Sequence, residues 1–478
     1  MSPPPPFPAV TPPPAAPPLK AILRLAVPLA TAQLGQAVMS FTDTAVVGRT
    51  YPAELAGVAL GNSIYFTVFV LCMGAVIGME PIVSQAVGAN DHRRARRGLR
   101  QGHVLAALAA VPGTLLILLV LALLPRIGLE PQIVTPTQQY VVGRLPGLLP
   151  ALAFLVMRGY LQAYNVARPA VVATIVGIVV NVPADLVLVL GDTGLTEMGL
   201  HPAGVPALGA AGAGIATALV NLAQVFVLVG PVRRLRDASD ERSGFARLRA
   251  ALLQGDELRR ILRVGMPMGM QFAFEVAFFS SVSFLMGTMG ALPLAAHQVA
   301  LTLASVPFHA CLGIGSATSV VVGHRIGAQD SQSAASAGWA GIGLGFLFMT
   351  VSGLVFLLFP GALVRLCTDD ASVHDMATGL VRIAGFFALS DGVQAVASGA
   401  LRGAGDTLWP FAIHLTAHWL IGMPTALLLG YAFDLGAVGL WWGLTTGLTV
   451  SAGALSLRFR NRSRRGFVAL EAHAVTPE

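Results

Sequence analysis

Four carboxylates stand inside long apolar stretches of this 478-residue chain: Asp43, Asp185, Glu275 and Asp391. A charged side chain at the centre of a membrane span costs about 2.5–3.5 kcal/mol even on the mildest scale, so acids kept there mark ion or substrate pathways. A buried carboxylate can carry a proton, or hold Na⁺ where neighbouring oxygens complete the shell. Helical spacing sets Asn181 one turn from Asp185 on the same face. Pro183, between them, removes a backbone N–H and frees a carbonyl, which gives an oxygen ligand or a hinge. Asp43 and Asp185 each lie about a turn from the outer end of their own segment, and Glu275 and Asp391 lie near the middle of theirs. The acids are therefore expected as two pairs: Asp43 with Asp185 in a first lobe, and Glu275 with Asp391 in a second. No Lys or Arg is expected deep in a span to neutralise them. His414 and His418, one turn apart, have no third ligand at metal spacing and read as packing or polar-cavity lining. Cys72, Cys311 and Cys367 stand singly and read as small packing residues.

The segments that must position these groups are legible from composition. Hydrophobic residues make up 55% of the chain and charged ones only 11%, far from the soluble balance, and the mean hydropathy is +0.73. Apolar stretches run over 22–47, 56–78, 101–124, 137–159, 168–190 and 209–231, then over 260–286, 294–318, 336–359, 380–400, 408–431 and 436–457. In lipid every backbone N–H and C=O needs an internal partner, so these are twelve transmembrane helices and the fold class is all-α. With loops of about 30 residues at most, there is no room for a soluble catalytic site, and the chain reads as no enzyme.

The net charge of +7 would suggest nucleic acid in a soluble protein, but the basic residues fall in alternate loops. Twenty-five of the 30 lie on the side that holds both termini; Arg49, Arg126, Arg144, Arg365 and Arg382 lie on the other. The positive-inside rule then puts both termini in the cytoplasm of a multi-pass inner-membrane protein. Ten prolines among the first eighteen residues read as a disordered tail rather than a signal peptide.

Residues 19–91 align without a gap on 258–330, through pairs such as Pro28/Pro267, Cys72/Cys311, Gly74/Gly313, Gly88/Gly327 and Asp91/Asp330. An even number of helices per repeat relates the halves by an axis along the membrane normal, with a central cavity between two bundles. The expected organisation is a tail at 1–18, an N-lobe at 19–232, a cytoplasmic linker at 233–257, a C-lobe at 258–459 and a cytoplasmic tail at 460–478. Pro28, Pro183 and Pro267 are the expected hinges.

Phe41-Thr-Asp-Thr-Ala-Val-Val-Gly48, Met79-Glu-Pro-Ile-Val-Ser-Gln-Ala-Val-Gly-Ala89 and Gly399-Ala-Leu-Arg-Gly-Ala-Gly-Asp-Thr407 resemble the multidrug and toxic compound extrusion (MATE) family, particularly its NorM-type branch. The resemblance spans about residues 20–460. It implies two six-helix bundles around an outward-facing V-shaped cavity and export of cationic or amphipathic drugs and toxins against entry of Na⁺ or H⁺, by a monomer with no cofactor beyond the coupling ion. By position it implies a first-lobe cation site of Asp43, Asn181 and Asp185, to which Thr217 and Gln33 contribute. It also implies coupling or substrate acids at Glu275 and Asp391, with Phe387 where Na⁺-coupled members carry Tyr. Glu80 and Arg402 then read as gate or loop anchors. A lipid-linked oligosaccharide flippase of the related superfamily, expected to line its cavity with buried arginines, and a non-transporting receptor are the alternatives.

Overall fold

The computed structural model describes residues 17–127, 129–235 and 255–470. Most of the N-terminal tail (1–16), the middle of the expected linker (236–254) and the end of the C-terminal tail (471–478) lie outside the described residues. Those described form twelve long helices and no strands. In the first half they are α1 Pro18–Val47, α2 Pro52–Gly88, α3 His92–Leu123, α4 Pro131–Ala163, α5 Arg168–Leu190 and α6 Gly209–Arg234. In the second half they are α7 Gly255–Thr288, α8 Ala291–Gly327, α9 Ser331–Leu358, α10 Ala371–Gly403, α11 Leu408–Ala432 and α12 Gly436–Arg465.

All twelve apolar stretches are helical, and eleven of the helices are both long and apolar enough to cross a membrane. The remaining one, α12, has 30 residues. At 1.5 Å per residue that is ample length, but Gly, Thr, Ser and Trp dilute its apolar character. Several helices outrun their apolar stretch because polar caps start them beyond it. Asp91, Asp330 and Asp370 accept from the backbone N–H of Arg94, Ser333 and Val373 at 2.9, 2.9 and 3.0 Å, satisfying donors that a helix start leaves orphaned. The Ser333 bonds hold the Asp330 carboxyl below the usual carboxylate range.

The inner ends, on the side that carries both chain termini, hold the two halves together in a pseudo-twofold pattern. Ile22, Leu25 and Leu29 of α1 are buried among Cys311, Ile314 and Val320 of the second half. Their repeat partners on α7, Ile261, Val264 and Met268, are buried among Val76, Ile77 and Ile82 of the first. Each first helix thus packs its inner part into the opposite lobe, and Pro28 and Pro267 lie within these continuous helices just before the last exchanged residue.

Small residues allow the approach. A Cβ on Gly74 would lie 2.7 Å from Gly269 Cα, and one on Gly313 would lie 2.4 Å from Ala30 N. Further in, a Cβ on Gly88 would lie 2.1 Å from the His324 carbonyl oxygen, and one on Gly327 2.0 Å from that of Gln85. Two side-chain bonds complete the set: Gln85 Nε2 donates to Gly403 O at 3.0 Å, and His324 Nε2 donates to Ala163 O at 2.6 Å. Gln85 and His324 are repeat partners, as are Ala163 and Gly403. One contact breaks the symmetry: after α12 the chain turns back along the inner surface, and Leu470 N–H donates to Gln85 Oε1 at 2.9 Å.

At the outer end, the α5–α6 connection is organised by Asp192, which accepts from the backbone N–H of Ala203, Gly204 and Val205 at 3.1, 3.1 and 2.9 Å. These donors favour the ionised carboxyl and hold its pKa below the ordinary value.

The glycine contacts give a direct prediction. Gly88→Val or Gly327→Val should prise the inner ends apart, at about 1–3 kcal/mol for the overpacking. Double electron–electron resonance between labels at Asn90 and Gln329 should then read a longer distance than in the parent; an identical distance would contradict the packing described.

Candidate functional site

In the N-lobe the expected acids meet. Asn181 Nδ2 donates to Asp43 Oδ1 at 2.6 Å and to Asp185 Oδ2 at 2.8 Å. The Asp43 and Asp185 carboxyls are also close enough to interact directly. The elements explain the meeting: α1 and α5 pack side by side, Gly35 receives Thr174 and Gly177 receives Met39 at the crossing, and Asn181 and Asp185 are one turn apart on the inward face of α5. Asp185 is wholly buried and Asn181 is 2% exposed, whereas Asp43 is half-buried. Asp185 Oδ1 and Asn181 Oδ1 are buried acceptors with no donor. Leaving such atoms unpaired costs about 1–3 kcal/mol each, and a cation or proton is the partner that satisfies several acceptors at once.

The other first-lobe residues are placed differently. Thr217 donates its hydroxyl to Ala213 O on its own helix at 3.0 Å. Gln33 sits half-buried on α1 and makes no side-chain hydrogen bond among the described residues. Neither touches the carboxylates directly. Pro183 lies inside a continuous α5.

Beside the acids stands Tyr140 of α4, within electrostatic reach of Asp43, Asp185 and Arg144. Arg144 was expected on the outer side, with no cation deep in a span; it lies inside the fourth candidate span, Pro131–Ala163. Arg158 lies further along the same helix, within reach of Glu80 of α2. The helix passes Arg144 and Pro146 through a short 3-10 turn at Leu145–Gly147 without losing its helical course.

In the C-lobe, Glu275 and Asp391 are joined by a residue the sequence reading passed over. Gln394 Nε2 donates to Glu275 Oε1 at 3.1 Å and to Asp391 Oδ1 at 3.3 Å. Glu275, Asp391 and Gln394 are all buried. A second amide repeats the device: Gln271 Nε2 donates to Ser398 Oγ at 3.2 Å and to His414 Nε2 at 3.1 Å. Asp391, Gln394, Ser398 and Arg402 recur at helical spacing, so α10 turns one polar stripe toward α7.

Arg402, expected as a gate or loop anchor, lies at the inner end of α10 and lines a crevice with Gln271, Glu275, Gln394 and Ser398. The anchoring role belongs to Asp406, which pairs with Arg458 at 2.8 Å. His414 and His418 stack at 5.3 Å between ring centroids. α11 widens there into π-helical turns over Thr416–Gly422, and His418 Nδ1 donates to the His414 carbonyl at 2.9 Å. Phe387 is buried against Phe279 and Trp441.

Two six-helix lobes that exchange helices at the inner end, each with an acid pair bridged by an amide, have the make-up of a polytopic membrane transporter. Comparison narrows the class. The MatE family model matches residues 28–187 and 267–428, and the chain belongs to that family. It is 35% identical over 447 residues to a probable multidrug resistance protein NorM of Bradyrhizobium diazoefficiens, covering 93% of both chains. It is 36% identical over 451 residues to the multidrug resistance protein NorM of Burkholderia vietnamiensis, covering 91% of this chain and 92% of that one. Among solved structures, the outward-facing conformation of a multidrug resistance MATE family transporter of the MOP superfamily superposes with a TM-score of 0.81 at 21% identity, covering 94% of this chain and 97% of that one.

The Asn181 bridge is testable by itself. Asn181→Leu removes the donor shared by both carboxyls and should lower stability by about 1–3 kcal/mol, read as a fall in the melting temperature of the detergent-solubilised protein; an unchanged melting temperature would show that the amide does not hold the pair.

Proposed function

We propose that this transporter is a secondary active exporter of cationic or amphipathic small molecules, driven by entry of Na⁺ or H⁺, in the inner membrane with both termini in the cytoplasm. The observation that carries the reading is the N-lobe site: two carboxyls and an amide oxygen gathered in a buried pocket, with Asp185 Oδ1 and Asn181 Oδ1 lacking any donor. The relatives' printed names, multidrug resistance protein NorM, support the choice of substrates.

In the arrangement described, the inner ends are closed by the Gly88/His324 and Gly327/Gln85 approaches, which corresponds to an outward-facing state. A cation entering from outside removes one unit of negative charge from the Asp43–Asp185 pair and gives the two unpaired oxygens a partner. The weaker field removes much of the electrostatic reason for a cationic substrate to stay, and α1, which carries Asp43, shifts with Pro28 as its hinge. Return to the inward-facing state must break the Gln85–Gly403 and His324–Ala163 bonds and releases the cation to the cytoplasm. The driving force is about 2.3 kcal/mol per charge per 100 mV of membrane potential, and a tenfold ion gradient adds about 1.4 kcal/mol. Glu275 and Asp391 form a second site for the coupling ion or for substrate.

Asp43→Asn keeps the shape but removes the charge, and export should be abolished while the protein still inserts. The assay is efflux of a fluorescent cationic dye from proteoliposomes under an imposed Na⁺ or pH gradient. Dye movement driven by either gradient in the parent and lost in Asp43→Asn supports the proposal; full export by the variant contradicts it. Glu275→Gln should impair export less if coupling resides in the N-lobe alone.

A further inference from the structure

Arg144 is a fixed positive charge inside the long helix α4, Pro131–Ala163, and every group that holds it is neutral. Its Nη1 donates to Asn62 Oδ1 at 2.6 Å and to the Tyr140 hydroxyl. The guanidinium lies over the Tyr65 ring at 4.3 Å and over the Tyr140 ring at 5.6 Å. Its Nε is buried with no partner, and Nη2 makes no hydrogen bond among the described residues. Nε and Nη2 form one edge of the guanidinium fork, the geometry that receives a carboxylate through two parallel bonds.

No carboxylate of the chain takes that edge among the described residues. Asp43 and Asp185 are bound to Asn181 instead. A charge that only neutral groups hold inside a membrane protein gains from an anionic partner. The Nη1 side of the guanidinium stands beside exposed surface: Asn62, which accepts from it, is exposed, as are Ser63 and Thr67 of α2.

We propose that Arg144 is a specificity-determining residue of the N-lobe, whose guanidinium receives the carboxylate of substrates that carry one beside their cationic centre. The inference rests on the export reading above and deepens it. The aromatic faces of Tyr65 and Tyr140 hold the guanidinium in place, Nη1 is spent on Asn62 and Tyr140, and the Nε–Nη2 edge is left for the ligand. Asp43, within electrostatic reach of Tyr140, offers the complementary negative end. A zwitterionic aromatic substrate meets both charges, and a purely cationic one meets only Asp43.

The test uses two probes that share one ring system, rhodamine B with its free carboxylate and rhodamine B ethyl ester without it. Equilibrium binding to the purified full-length protein in detergent is read by fluorescence polarisation. Arg144→Gln should weaken rhodamine B by roughly tenfold or more and leave the ester within about twofold. Arg144→Lys, which keeps the charge and loses the fork, should fall between. Unchanged ester binding serves as the control for folding of each variant. Equal weakening of both dyes would make Arg144 a structural or counter-ion residue and overturn the inference, as would rhodamine B binding that ignores both substitutions. Arg144-dependent rhodamine B binding without export of either dye would leave this inference standing and sink the export reading. Export of the ester with rhodamine B binding indifferent to Arg144 would do the reverse.

Discussion

Because the inner part of α1 is buried among residues of the second half and the inner part of α7 among residues of the first, neither lobe closes its own core at the inner end. Lipid gives helices no hydrophobic reason to associate, so the contact depends on close van der Waals approach. Gly74 against Gly269 and Gly313 against Ala30 bring backbones nearly to touching. The exchange also fixes where bending can occur. Pro28 and Pro267 stand at the border between the part of each helix held by the opposite lobe and the part that returns to its own. A proline removes the i→i−4 bond at that border, so the stiffest element of each lobe is weakened where the two lobes must turn against each other.

The polar interior follows a common economy in both lobes. A carboxyl pair is held by one side-chain amide that donates to both members, Asn181 in the N-lobe and Gln394 in the C-lobe. An amide is well suited to this task because it offers two donors and brings no charge. Each lobe leaves the oxygen of its bridging amide bare, Asn181 Oδ1 and Gln394 Oε1; among the described residues the N-lobe pair also leaves a carboxyl oxygen, Asp185 Oδ1, without a donor, whereas the C-lobe extends its polar contacts through Gln271 to Ser398 and the stacked histidines. The repeat that built two similar scaffolds therefore carries two unlike sites, set by side chains that the duplication did not preserve.

Much of this was legible in the order of residues. The twelve apolar stretches, the repeat and the pairing of the four acids all rest on strong signals: hydrophobic length, near-identical spacing, and the cost of charge in lipid. The helix ends were harder, because the parts beyond the apolar stretch are defined by Asp91, Asp330 and Asp370 as caps rather than by hydrophobicity. Arg144 fell inside the apolar stretch 137–159 but was counted with the outer side, because nothing local says that two tyrosines from different helices hold it. Gln394 and Gln271 escaped for the opposite reason: an amide on a helix carries no signal until the partner helix is known. Thr217 was assigned through resemblance alone; its hydroxyl donates to its own backbone at Ala213 O.

The reciprocal placement of Ile22, Leu25 and Leu29 and of Ile261, Val264 and Met268 has the form of a domain swap frozen into a single polypeptide. If the two halves descend from one six-helix ancestor, that ancestor was stable as a symmetric homodimer in which each subunit lent its leading helix to its partner. Fusion then converted an intermolecular loan into an intramolecular one and freed the two copies to diverge, which accounts for a conserved junction between lobes whose acids no longer match.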